Sequence, residues 1–223
     1  EDGRQLAAET AEVVFGAQQT LEGAQEFYGD VKARMTAVGR DPDSLKVMPG
    51  LMVTVAESHD EAVDRFEELQ DLINPTTGLQ LLSNRMNHDM SGYDIDELMP
   101  LLPPDAVGGS RRDLIVEQAR REKMSIKDLY RKFAASRGHG LIVGDVKEVA
   151  DRMEEWVVEK GCDGFNVMPP VLPADLCSFN ALVVPELQRR GLYRSEYEGR
   201  TLRANLGIER PPPWSPDDYQ ITQ

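Results

Sequence analysis

Two cysteines and three histidines are all that 223 residues contain. Cys162 and Cys177 lie too far apart in sequence for a CxxC metal pair, and two thiols fit a reducing compartment. Basic charge is also scarce, with 25 Lys and Arg against 39 Asp and Glu, a formal net charge of −14. Such a surface repels a phosphate backbone, which argues against nucleic acid as a partner. No apolar run approaches the roughly 18–20 residues that span a bilayer, which argues against a membrane protein, and no basic-then-apolar leader opens the chain. Cytoplasmic is the expected location. There is no Walker loop, no GxGxxG fingerprint and no GxSxG elbow.

What is present is ordinary for a globular chain: 40% hydrophobic and 29% charged residues, enough to bury one good-sized core. The first residues alternate between helix and strand patterns. Arg4 to Glu12 reads as helix and Val13-Val14-Phe15 as a short buried strand. Leu21, Ala24, Phe27, Tyr28, Val31 and Met35 repeat at helical spacing, and Gly39 ends that helix. Leu45 to Ala56 is a long apolar, β-prone run. Pro49-Gly50 within it predicts a kink or bulge. Ser58-His-Asp-Glu61 has the form of a capping box ahead of a helix carrying Ala62, Phe66, Leu69 and Ile73.

The alternation then stops. From about residue 74 to 138 no strand-like run occurs, and two helical stretches stand around Arg111–Lys123 and Ser125–Ser136. This region is expected to be an insertion between elements of one domain, on the face where βα loops carry function. Strand and helix patterns return with Leu141-Ile-Val143, the stripe Val149, Met153, Trp156, Val157, then Asp163-Gly-Phe-Asn-Val-Met168 and a helix from Pro173 to Arg190. Such alternation implies a parallel α/β sheet over residues 1–210, followed by a Pro-rich tail at 211–223.

Few side chains suggest chemistry. His59 lies inside the capping box and reads as a solvated surface group. His139 reads as a loop residue, with a place near a site as the alternative. His88, in Asn87-His-Asp-Met-Ser-Gly-Tyr93, has polar neighbours and a side chain able to protonate or orient a ligand near neutral pH. Asp94 and Asp96 could hold a cation but read as a solvated turn, and Met48 and Met52 as packing.

A resemblance goes further. Asp2-Gly-Arg-Gln-Leu-Ala-Ala-Glu-Thr-Ala-Glu-Val-Val-Phe15, Gly39-Arg-Asp-Pro-Asp-Ser-Leu-Lys-Val-Met-Pro-Gly50, Gly138-His-Gly-Leu-Ile-Val-Gly144, Asp163-Gly-Phe-Asn-Val-Met-Pro-Pro170 and Val184-Pro-Glu-Leu-Gln-Arg-Arg-Gly191 occur in that order. Together they resemble the C-terminal half of bacterial-luciferase-like flavin monooxygenases, the group of nitrilotriacetate, dibenzothiophene-sulfone and long-chain alkane monooxygenases. The resemblance implies about strands six to eight of a (β/α)8 TIM barrel. It implies FMN as cofactor, delivered reduced by a separate NAD(P)H:flavin reductase, and O2 and a small organic molecule as substrates. It places Asp2 and Gly3 at the end of the flavin-phosphate loop, Phe15 on the substrate pocket, and His88 near a functional histidine that touches substrate. A TIM barrel typically needs about 250 residues. The N-terminal barrel half, on a preceding segment, another chain or through homo-oligomer formation, is therefore the expected partner, and this chain alone is expected to be inactive. A non-catalytic flavin- or ligand-binding remnant, or an assembly module, is the alternative.

Overall fold

The computed structural model describes residues 2–102 and 110–210. The tail expected at 211–223 lies outside them, as does Glu1. Four parallel strands form the sheet: β1 (Val13–Gly16), β2 (Lys46–Ala56), β3 (Gly140–Asp145) and β4 (Asn166–Met168). β2 is the hub. Its residues 46–49 pair with β1, 51–56 with β3 and 50–52 with β4. Leu51 and Met52 pair with both β3 and β4, which must therefore occupy opposite edges. Lys46 N donates to Glu12 O, while Val47 exchanges bonds with Asp163 just ahead of β4. Because successive residues of a strand bond in opposite directions, β1 lies across from β4. β1 and β3 thus run end to end along one edge of β2.

β2 is one continuous strand of 11 residues through Pro49-Gly50, where the sequence predicts a kink and where its partner changes from β1 to β3 and β4. Pro49 stands at the last position of the β1 pairing and one residue before β4 joins. A missing N–H there interrupts neither ladder.

α1, α2 and α7 pack on one face of this sheet. α1 (Asp2–Thr10) and α2 (Leu21–Ala37) pack Ala8, Val31 and Met35 against Leu45 and Val47. α7 (Val146–Val158) lays Val149, Ala150 and Met153 on Leu51, Val53 and Val55. Each fully buried aliphatic side chain there contributes about 1.5–3 kcal/mol relative to exposure. The predicted final helix is three joined segments: α8 (Ala174–Ser178), a π-helical turn (Phe179–Val183) and α9 (Val184–Arg189). Pro185, without an N–H, follows that turn, and Val184 N reaches back to Phe179 O instead. α10 (Leu202–Asn205) closes the described chain.

Between α3 (His59–Asp71) and β3 stand three helices: α4 (Pro75–Met86), α5 (Ser110–Arg121) and α6 (Ile126–Ser136). The sequence pattern indicated only the last two. α4 was hidden by its Pro and Thr-rich start. Pro75 sits at the first helical position, where its missing N–H costs nothing, and Asn74 caps the helix. Leu82, Met86, Met90, Met99, Ile126, Leu129 and Tyr130 form a cluster of their own. Ser125–Asp128 makes both bonds of a capping box. At Ser58 only one forms, because Glu61 turns to Arg65 at 2.8 Å.

Candidate active site at the strand ends

Phe15 is the penultimate residue of β1 and Met168 the last of β4, so both stand at the C-terminal ends of parallel strands. In α/β barrels that end carries the chemistry. Between them lies Gly50. A Cβ at Gly50 would stand 2.6 Å from His139 Nδ1 and 2.8 Å from both Met168 Sδ and Phe15 Cε2, so only glycine fits. The four residues come from β1, β2, the turn before β3, and β4. They are distant in sequence and touch only because the strands are in register.

The rings of Phe15 and His139 stack at 5.0 Å between centroids and 17° between planes. His139 Nδ1 is 3.3 Å from Gly16 O. A carbonyl only accepts, so Nδ1 carries the proton in this contact and, in the neutral ring, Nε2 is left as an acceptor. Phe15 is 56% exposed, a large apolar ring turned to solvent at a strand end. The turn that delivers His139 passes through Arg137 (φ 50°) and Gly138 (φ 89°), both in the left-handed region. Sequence reasoning read His139 as a loop residue and did not single out Gly50 or Met168. The Pro49-Gly50 interruption was the available signal, since a glycine inside a strand often marks a close approach.

The other expected site residues lie elsewhere. His88 follows the left-handed C-cap Asn87 of α4, and its Nε2 is 2.9 Å from Tyr93 Oη. The two rings are tilted by 57°. The described contacts bring His88 to Tyr93 and not to Phe15. Asp2 and Gly3 lie in the first turn of α1. The space where a Cβ of Gly3 would project is empty to 4 Å. Asp94 accepts from Asp96 N at 3.0 Å, an Asx turn. His59, exposed as expected, also pairs with Glu148 Oε2 at 2.8 Å, which raises its proton affinity. Among the described residues no group of three His, Cys, Asp or Glu could hold a metal ion.

Asp163 organises the base of the site. Its carboxylate accepts from Val47 N at 2.8 Å and from Tyr28 Oη at 3.0 Å, and pairs with Lys32 at 3.2 Å. Burial, then the adjacent Asp163 carboxylate, holds the Tyr28 hydroxyl well above its usual range. One side chain thereby ties α2 and β2 to the start of β4. A side pocket of about 360 Å³ opens beside Met168, lined by Met52, Leu141, Pro169, Gln70 and Arg137 among others. Gln70 is buried, and its Oε1 has no partner among the described residues.

A parallel sheet flanked by helices, in a chain of this length, fits part of an α/β barrel. The profile of the family described as Luciferase-like monooxygenase matches residues 1–164. The chain belongs to that family. It is 47% identical over 213 residues to N-acetyl-S-(2-succino)cysteine monooxygenase of Bacillus subtilis, covering 94% of this chain and 48% of that protein. It is 48% identical over 211 residues to nitrilotriacetate monooxygenase component A of Aminobacter aminovorans, covering 94% and 47%. The crystal structure of DmoA from Hyphomicrobium sulfonivorans matches with a TM-score of 0.79 at 29% identity, covering 92% of this chain and 43% of that one. The chain thus spans about half the length of the relatives it matches. No described helix is long and apolar enough to cross a membrane.

Proposed function

We propose that this chain is part of a cytoplasmic two-component monooxygenase. In the overall reaction a small organic substrate, O2 and FMNH2 give the oxygenated substrate, water and FMN, and a separate flavin reductase supplies the FMNH2. The observation that carries this reading is the Phe15–His139 stack over Gly50 at the strand ends, in a chain of the luciferase-like family.

Reduced FMN, when bound, supplies the electrons that activate O2. The chain's own residues do the rest. Gly3 leaves room beside the first-turn N–H groups of α1, which fits a phosphate at a helix end, with Asp2 at its rim. Phe15 and Met168 form an apolar wall that excludes water from the reacting atoms. His139, its Nδ1 proton directed at Gly16 O, presents Nε2 to a ligand. His88, whose Nε2 meets Tyr93 Oη at 2.9 Å on the inserted helical region, is the residue assigned to orient substrate. The N-terminal barrel half completes the site.

The test is single turnover of the whole protein with chemically reduced FMN under 18O2. Incorporation of one 18O atom into product, lost in a Phe15→Ala variant, is the expected result. Consumption of reduced flavin with no labelled product from any of a panel of acids, sulfones, sulfides and alkanes would sink the reading.

A further inference from the structure

The turn from α6 to β3 passes through Gly138. Two N–H donors converge on it from segments remote in sequence. Arg85 Nη2, from the last turn of α4, stands 3.8 Å from the point a Cβ of Gly138 would occupy, and Gln19 Nε2, from the loop after β1, stands 3.9 Å from the same point. Glycine suits this position because φ is 89°, in the left-handed region.

The Arg85 guanidinium lies over the Phe133 ring at 5.5 Å from its centroid. Stacking engages the face of the planar group and leaves its N–H edge for an acceptor. Among the described residues no carboxylate pairs with Arg85, and no side chain accepts from Gln19. Arg4, Arg34, Arg65, Arg131 and Arg190 have carboxylate partners, whereas Arg40 gives its donors to backbone carbonyls and Arg194 stacks on Tyr193 and Tyr197. Arg137, also without a carboxylate partner among the described residues, precedes Gly138 and lines the side pocket beside Met168. His139 of the aromatic stack is the residue after Gly138. The donors therefore border the proposed reaction site.

We propose that Arg85 and Gln19, converging over Gly138, bind a carboxylate of the substrate, so that the substrate class is a small organic acid whose oxidisable atom lies over Phe15 and His139. This rests on the monooxygenase reading of the same site. A guanidinium edge matches the two oxygens of a carboxylate, and the Gln19 amide adds a neutral donor. The acidic surface repels anions at long range, so a local cation is what such a substrate requires.

The test is calorimetric titration of the whole protein with nitrilotriacetate and N-acetyl-S-(2-succino)cysteine, and with their methyl esters, with and without oxidised FMN. At least one acid binds the wild type, and its ester binds about tenfold or more weakly. Arg85→Gln weakens the acid by a similar factor, as loss of a charge-assisted bond predicts, and leaves the ester and FMN unchanged. Arg85→Lys restores part of the affinity, and Gln19→Leu costs a few-fold. The last variant leaves the Arg85–Phe133 stack intact, so it serves if Arg85→Gln fails to fold. The proposal is overturned if neither acid binds the wild type, if acid and ester bind alike, or if the variants bind the acid as the wild type does. It is also overturned if Arg85→Gln weakens FMN instead, which would make the spot a flavin-phosphate contact. Arg85-dependent acid binding without 18O incorporation would retain the anion site and remove the monooxygenase reading. Labelled product with Arg85-independent binding would do the reverse.

Discussion

Phe15 and His139 lie face to face at 5.0 Å although 123 residues separate His139 from the neighbouring Gly16, whose carbonyl its ring meets. The contact exists because β1 and β3 occupy one edge of β2 end to end, so the last residues of one strand meet the turn entering the other. The pair meets Met168 around the Cβ position of Gly50.

Substituting Gly50 by Ala places a methyl group within 2.6–2.8 Å of His139, Met168 and Phe15. Overpacking of this kind costs about 1–3 kcal/mol, and here it also separates the stacked rings. A lowered denaturant midpoint together with lost turnover is the expected outcome. An Ala variant as stable and active as the wild type would show that the cluster gives way freely.

Phe15→Ala is expected to act in the opposite proportion. The ring is 56% exposed, so its removal changes stability by no more than about 0.5–1 kcal/mol. Product formation should fall while the thermal midpoint holds. A large drop in midpoint would assign Phe15 to the core.

Asp163→Asn removes the charge that Lys32 faces and weakens the bonds to Val47 N and Tyr28. Destabilisation of about 1–3 kcal/mol should appear in chemical unfolding. Tyr28→Phe, which deletes a single partner, should cost less.

Two ion-paired groups act at opposite ends of the pH scale. Hydrogen bonds from Arg189 and Arg190 hold the Glu186 carboxyl down at about 2, from a usual 4.5. A depressed carboxyl stabilises above its ordinary value, and that stabilisation is lost as pH falls from 4.5 toward about 2. Glu186→Gln should therefore narrow the difference between neutral and acid melting temperatures. His59 is raised by its bond to Glu148, so its stabilisation is complete below 6.5 and disappears as pH rises through the raised value. The melting temperature of His59→Gln should fall below that of the wild type in mild acid and match it in alkali. A pH-independent gap would contradict the assignment.

The two thiols should separate cleanly. Burial pushes the Cys162 thiol up to about 12, whereas Cys177 is exposed. A thiol reagent near neutral pH is expected to modify Cys177 in the native chain and Cys162 only after denaturation. Peptide mapping distinguishes them, and rapid native labelling at Cys162 would contradict its burial.

Much of the fold was legible in local pattern. The strand at Val13–Phe15, the helical stripe from Leu21 to Met35, and the second capping box appear where spacing put them, although the strand read as buried exposes Val13 and Phe15 because it lies at a sheet edge. Neither the strand's continuity through Pro49 nor the helix starting at Pro75 follows from local pattern, for one reason. A proline's effect depends on whether its missing N–H had a partner, and that is set by strand register in one case and helix position in the other. Of the candidate residues, Phe15 stacks on His139 at a strand end, and His88 meets Tyr93 on the inserted helical region.

The sequence by itself determined the strand–helix alternation, the acidic surface and the family, because these reside in composition, spacing and motif order. Only the tertiary structure decided that Phe15, Gly50, His139 and Met168 meet, and that Arg85 and Gln19 converge over Gly138. Those contacts join segments tens of residues apart, and their geometry is set by parallel register around β2, which no local pattern encodes.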